Sequence, residues 1–237
     1  MFCMENLTMD NTDIAFPQSF INETLKCTEA SLRNAGVCLP SFSAMSPQQF
    51  LALGQEATAD IRTKGLGWDV TGFGHGPDEF DRHGLVLFTL LNEPEYAAKW
   101  LRAKFHQVTP IHYHPNKKET LEVHLGTMAF MVWDKDARGG FLNTRVNLQR
   151  DGGRRHSYLP GEIYTLDQGD SVTLPPHTWH TFWGVHSDVI IRETSTNNDD
   201  EGDNVFEEGQ PRFNPKIMDE EPYRWLVSDY LNLPWPE

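Results

Sequence analysis

Cysteine is scarce in this chain of 237 residues: Cys3, Cys27 and Cys38 are all it has. Their number is odd, they lie near the N-terminus and no CxxC spacing occurs. This argues against a disulfide framework or a cysteine metal site, and the thiols are expected to be reduced in a cytoplasmic protein. Positive charge is also short. Lys and Arg number 20 against 34 Asp and Glu, a formal net charge of −14. Such a surface repels nucleic acid and anionic membrane and more easily admits a neutral or cationic small molecule. No apolar run approaches the roughly 18 residues of a membrane span. The opening MFCMENLTMDNTDIAF lacks the basic and apolar regions of a signal peptide, so the sequons at Asn6 and Asn22 are read as chance. Apolar residues reach only 38%, yet fourteen Phe and seven Trp can supply a core.

The length fits one large all-β domain with decorations. Residues 1–66 read as a helical extension. Pro17 stands at a helix start, Ile21, Leu25, Thr28 and Leu32 recur at helical spacing, and Gly36 is a stop. A second helix is signalled by Ser46 as N-cap, Pro47 at the first helical position and Gln49 three residues after the cap. Phe50, Leu53, Ala57 and Ile61 form its apolar stripe up to Gly65. Both helices are expected to pack on the outside of a barrel. Residues 67–237 then hold the barrel and a C-terminal segment. Strands are expected at 84–91, 96–105, 127–134, 141–148, 163–166 and 188–195, with 151–156 as a loop. Many short strands separated by turns imply a β-sandwich or small barrel. PYRWLVSDYLNL near the end reads as a short helix, and the acidic stretch 196–210 as a solvated loop.

The chain is organised around VTPIHYHPNKKETLEVHLG at 108–126. In a strand, residues i and i+2 share a face, so His112 and His114 can aim both imidazoles at one point. Pro115 and Asn116 favour a turn that can return Glu119 from the neighbouring strand. Two imidazoles and a carboxylate suit a divalent first-row metal. A fourth ligand is offered by GDSVTLPPHTWHTFWG at 169–184, where His180 opens a strand after a Pro-Pro turn.

Taken together, the two stretches resemble the paired motifs of the cupin superfamily. His112, His114, Glu119 and Gly126 match the first motif without a gap, and Gly169, Pro175 and His180 match the second. His177 stands where the motif has Gly, and the turn there is expected to be altered locally. The resemblance implies an all-β cupin core, a jelly-roll-like double-stranded β-helix, carrying the N-terminal helices and a short C-terminal helix. A narrower resemblance follows from GWDVTGFG at 67–74, GLVLFTLLN at 84–92, QVTPIHYHPNKKE at 107–119 and ETSTNNDDEGDNVF at 193–206. These are similar to stretches of the D-lyxose isomerase family of cupin sugar isomerases. The last is the most specific, because cupins in general do not carry it. Departures are Thr120, Leu121 and Glu122 after the metal-site Glu, His177, and Asn214, Pro215 and Lys216 before the acids Asp219, Glu220 and Glu221.

The resemblance implies a metal-dependent aldose–ketose isomerase that interconverts D-lyxose and D-xylulose, with D-mannose and D-fructose as near relatives. It also implies a homodimer. A Mn²⁺-like ion would act as a Lewis acid on two sugar oxygens, with Zn²⁺, Co²⁺, Fe²⁺ or Ni²⁺ as alternatives. Lys117 is assigned to holding oxygen charge or shuttling a proton, although residue type alone reads it as a solvated turn lysine. Glu193 is a candidate base if its face of the strand looks inward and a surface group if Arg192 does; parity leaves both open, and the resemblance favours Glu193. Glu220 and Glu221 are the alternative positions for the base. Trp68, Trp179 and Arg212 are candidates for sugar binding, with core packing and pairing to the acidic loop as the plainer readings. His106, His124 and His177 read as structural. The same metal set also serves an Fe(II) cupin dioxygenase or a non-catalytic sugar- or metal-binding cupin, and the fold does not choose among them.

Overall fold

Alternation of inward and outward side chains from residue 67 onward builds a structure dominated by antiparallel strands. The computed structural model describes residues 14–136, 138–196, 198–199, 202–209 and 211–235. Cys3 and the Asn6 sequon lie outside the described residues. In chain order the elements are β1 (Phe16–Pro17), α1 (Gln18–Asn34), α2 (Pro47–Ala52), α3 (Gly54–Ala57), α4 (Ala59–Thr63), β2 (Gly67–Thr71), α5 (Phe80–His83), β3 (Leu85–Asn92), β4 (Ala97–Ala103), β5 (His112–Tyr113), β6 (Glu119–Trp133), β7 (Val146–Arg150), β8 (Arg154–Tyr158), β9 (Tyr164–Asp167), β10 (Ser171–Leu174), β11 (Trp179–Ser195), β12 (Val205–Phe206) and β13 (Lys216–Ile217), followed by a 3₁₀ turn at Val227–Asn232.

Two long strands organise the roll. The first half of β6 pairs with the second half of β11, and the second half of β6 with the first half of β11. Between the halves the ladder breaks at Val185/Ile190, and Gly126 supplies the bend on β6. Its φ is +86°, and a Cβ there would lie 2.7 Å from the Asp188 carbonyl oxygen. A side chain at this position meets both a strained backbone and a fixed atom. The bend divides the pairings into a larger sheet, β2-β3-β4-β11-β6-β10-β7-β8, and a smaller one in which β12, β5, β11, β6 and β9 are neighbours. Between them lies the main core, with Leu121, Val123, Met128, Phe130, Val132 and Ile191 among its buried side chains. This is the all-β cupin architecture.

A second core covers the outer face of the larger sheet. Ile21, Leu25, Thr28 and Leu32 form the buried stripe of α1, and Ile21, Leu25 and Leu32 pack in one cluster with Trp68, Val70, Val86, Phe88 and Ile190. The N-terminus of α1 is satisfied from far along the chain: Asp219 accepts from the Ser19 amide at 2.9 Å and from its hydroxyl at 2.5 Å. At α2 the Ser46–Gln49 capping box forms with both hydrogen bonds, 3.2 and 2.8 Å. The single helix expected after it is broken into α2, α3 and α4: Gly54 takes φ +84° at the start of α3, and Thr58, at φ −101° and ψ 0°, separates α3 from α4. The segment 151–156 is not all loop, since Arg154–Tyr158 pairs with β7 as a hairpin.

Candidate active site

Strand parity and one turn assemble the candidate metal-ligand set. His112 on β5 lies directly opposite His180 on β11 in the ladder, and their rings are 4.2 Å apart. His114 follows His112 on the same face. Ligand nitrogens of His112, His114 and His180 lie within 4.8 Å of one another. Each ring has its Nδ1 against a backbone carbonyl: His112 on Pro110 at 2.8 Å, His114 on Asp203 at 2.6 Å and His180 on Thr178 at 2.9 Å. A carbonyl only accepts, so each Nδ1 carries the proton and each Nε2 presents a lone pair. Glu119, at the start of β6, places Oε1 3.1 Å from His180 Nε2 and 3.5 Å from His114 Nε2.

His180 Nε2 and Glu119 Oε1 are buried and have no hydrogen-bond partner among the described residues. Two acceptors at that distance with no proton between them repel each other. A divalent cation between them reverses the sign, so the donor set fits a metal bound by His112, His114, Glu119 and His180. Electrostatics prepare the same state. Burial, then the neighbouring imidazoles of His180 and His114, hold His112 well below the usual imidazole pKa. Burial and the Lys117 ammonium lower His114. Burial alone would raise Glu119, but the Lys117 ammonium beside it works against burial and holds its carboxyl well below the usual range.

Beside this set stands a second group. Lys117 Nζ is 2.8 Å from Glu119 Oε2 and donates to Glu193 Oε1 at 3.0 Å. All three are buried, at 5, 3 and 5% exposure. Glu193 points inward with Val189 and Ile191, while Arg192 points outward over the Trp100 ring at 5.7 Å. Lys117, Glu119 and Glu193 line a pocket that also takes in Lys99, Phe182, Phe206 and Arg212. Arg212 donates to Asp69 at 3.1 Å.

The profile of the D-lyxose isomerase family matches residues 16–230. The chain belongs to the D-lyxose isomerase family. It is 35% identical to a D-lyxose/D-mannose isomerase of Serratia proteamaculans over 225 residues, 90% of this chain and 97% of that protein. A D-lyxose/D-mannose isomerase of Escherichia coli O157:H7 is 33% identical over 224 residues, with the same coverage. Among solved structures, the L-ribose isomerase of Cellulomonas parahominis without ligand superposes with TM-score 0.57, covering 86% of this chain and all of that one at 16% identity. That likeness is one of fold. With this membership the chain is a sugar isomerase.

Within the family frame, the structure sorts the remaining sequence candidates. Trp68 does not reach the cavity. It is packed edge-on to Phe88 at 5.0 Å in the outer core, and its Nε1 donates to the Ser43 carbonyl. Trp179 precedes His180 and so faces the other way, against Tyr113 at 4.5 Å and under Lys135 Nζ at 3.6 Å. Neither is among the residues lining the pocket that holds Lys117 and Glu193. Glu220 and Glu221 lie at the start of α1, where Asn22 Nδ2 donates to Glu220 at 3.3 Å and to the Glu221 carbonyl at 2.8 Å. They are not among the residues lining the cavity.

His177 keeps the left-handed turn at φ +65°. The turn is therefore not rebuilt; a histidine occupies the conformation glycine would, with its amide bonded to the His114 carbonyl at 2.9 Å. His124 bonds the Ala35 carbonyl at 2.9 Å and His106 is exposed. Sequence reasoning missed Lys99, which shares inward parity with Leu101 and Ala103 and lies opposite Glu193. It also missed Asp203, whose contacts depend on how a distant loop packs.

Proposed function

We propose that this protein is a divalent-metal-dependent aldose–ketose isomerase interconverting D-lyxose with D-xylulose and D-mannose with D-fructose. The observation that carries the reading is the buried Lys117 ammonium, held 2.8 Å from Glu119 and 3.0 Å from Glu193. A cation on His112, His114, Glu119 and His180, Mn²⁺ in this reading, would supply Lewis-acid polarisation to two adjacent sugar oxygens. Glu193 then takes the proton from the hydroxyl-bearing carbon next to the carbonyl and returns it to the former carbonyl carbon. In the same exchange the hydroxyl proton passes between the two oxygens, with Lys117 as the donor and acceptor nearest to Glu193. Lys117 also keeps Glu193 hydrogen-bonded in one orientation, so the carboxylate is pre-positioned for both transfers. The apolar walls around Phe182 and Phe206 exclude water and strengthen these interactions. Arg212, fixed by Asp69, is proposed to meet substrate hydroxyls.

A cytoplasmic location fits free Cys27 and Cys38 and the absence of a membrane-crossing helix among the described residues. The test is an anaerobic assay of the Mn²⁺-loaded protein with D-lyxose and with D-mannose, read by ketose formation and by solvent deuterium entering the carbon next to the carbonyl. Turnover without oxygen is expected. Turnover that requires oxygen, or none with any divalent metal, refutes the reading and returns the dioxygenase and binding-protein alternatives.

A further inference from the structure

The turn after the histidine pair, residues 115–118, belongs to no strand, yet it carries the buried Lys117. Its amides therefore need partners from elsewhere. Thr196 Oγ1 accepts from the Lys118 amide at 3.0 Å, and one residue supplies the other two. Asp203 Oδ1 accepts from the Asn116 amide at 2.8 Å and from Asn116 Nδ2 at 3.0 Å. Its Oδ2 accepts from the Lys117 amide at 2.8 Å. The carbonyl of the same residue takes the His114 Nδ1 proton at 2.6 Å. Asp203 is itself 5% exposed, and its amide donates to the Asp199 carbonyl at 3.0 Å.

We propose that Asp203 is the positioning residue of this site: it sets the metal-binding tautomer of His114 and the reach of Lys117 from a single point. The inference rests on the isomerase reading for its kinetic consequence but not for its metal consequence. A carboxylate is required because both of its oxygens only accept. An amide in its place turns an N–H toward one of the two backbone N–H groups, that of buried Lys117 or that of Asn116, and leaves that group without its acceptor. The backbone of Lys117 then shifts, and with it the Nζ that joins Glu119 to Glu193. The peptide carbonyl of residue 203 moves together with the loop, which loosens His114.

The experiment compares Asp203→Asn and Asp203→Ala with the wild-type full chain. Mn²⁺ affinity is measured by calorimetry on stripped protein, and kcat and KM on the loaded enzyme. Expected is a loss of Mn²⁺ affinity of about 10-fold, the low end of the range seen when the outer partners of metal ligands are removed, because the residue-203 carbonyl is displaced and not deleted. Alongside it, kcat falls on the order of 100-fold at saturating Mn²⁺, the effect of displacing a reacting group by about 1 Å, with KM changed less than about threefold. If Asp203→Ala does not fold, Asp203→Asn alone decides. Mn²⁺ affinity within twofold of wild type in the folded variants overturns the proposal. So does unchanged kcat, or a lowered melting temperature with both quantities intact. If wild type turns over no sugar, the isomerase reading fails while the calorimetry still tests Asp203.

Discussion

Metal binding should be visible as folding stability. His180 Nε2 and Glu119 Oε1 face each other at 3.1 Å, buried and without hydrogen-bond partners among the described residues. A ligand that binds only the native state stabilises it by RT ln(1 + [L]/Kd), about 2.7 kcal/mol at a hundredfold excess over Kd. For a chain of 237 residues, each kcal/mol moves the melting temperature by about 2–4 °C. Mn²⁺ should therefore raise it by about 5–11 °C. His114→Ala or His180→Ala removes a ligand. A thousandfold weaker site at the same Mn²⁺ concentration has [L]/Kd near 0.1, about 0.06 kcal/mol, and a shift well below 1 °C. Scanning calorimetry of the stripped proteins, with and without metal, reads both numbers. Equal shifts in wild type and both variants would place the ion elsewhere. No shift in wild type with Mn²⁺, Zn²⁺, Co²⁺, Fe²⁺ or Ni²⁺ would remove the site altogether.

Glu193→Gln should keep the full Mn²⁺-induced thermal shift while kcat falls by about 100–10,000-fold; loss of the shift would make Glu193 a ligand instead of a base. The metal-free protein should lose stability as pH falls below about 6.5. There the unfolded chain protonates His112, while the folded chain, where burial holds this imidazole well below its usual value, does not. Because the unfolded state binds more protons, the loss is about 1.4 kcal/mol per pH unit for a histidine kept neutral. Urea titrations at pH 7 and 5.5 should show a smaller loss in His112→Gln than in wild type; equal losses would refute the assignment. We also expect a homodimer, because Ile163, Met218 and Leu231 are 61, 62 and 91% exposed. Sedimentation at micromolar concentration should give twice the 27.1 kDa chain mass, and the single-chain mass alone would exclude it.

The juxtaposition of the candidate ligands was legible in the sequence because strand parity is local: His112 and His114 must share a face, and Glu119 is only one turn away. His180 needed the second motif as well, since its place opposite His112 is set by a ladder joining positions 68 apart in the chain, which no local pattern encodes. Glu193 was ambiguous for a physical reason. Both faces of β11 are populated by apolar groups, so alternation does not say which looks inward; the stacking of Arg192 on Trp100 decides it. The same two-sided covering misplaced Trp68, an aromatic on the outer face that α1 and its neighbours bury. Lys99 carried a usable signal, a lysine in step with Leu101 and Ala103, but an isolated strand lysine ordinarily reads as solvent-facing. The run around Asp203 was recognised by resemblance alone. Its hydrogen bonds to Asn116, Lys117 and His114 join segments almost ninety positions apart, and only the folded loop reveals them.

The energetics of the Lys117 cluster favour chemistry over scaffolding. Taking a lysine and two carboxylates out of water costs several kcal/mol per ion, and their mutual attraction does no more than break even against apolar side chains of similar volume. A cupin that needed only a stable barrel could fill this volume with the leucines and phenylalanines that already line the rest of the cavity. A cupin that needed only a metal could stop at His112, His114, Glu119 and His180. The additional Glu193, hydrogen-bonded to Lys117 at 3.0 Å, contributes to neither requirement. It has a use where a proton must leave one carbon and arrive at its neighbour, which needs a fixed carboxylate and a cation to hold it in place. That requirement belongs to aldose–ketose isomerisation and is not general to oxygen activation or sugar binding. The Lys117–Glu193 pair, more than the candidate metal ligands, is therefore the feature on which the proposed mechanism rests.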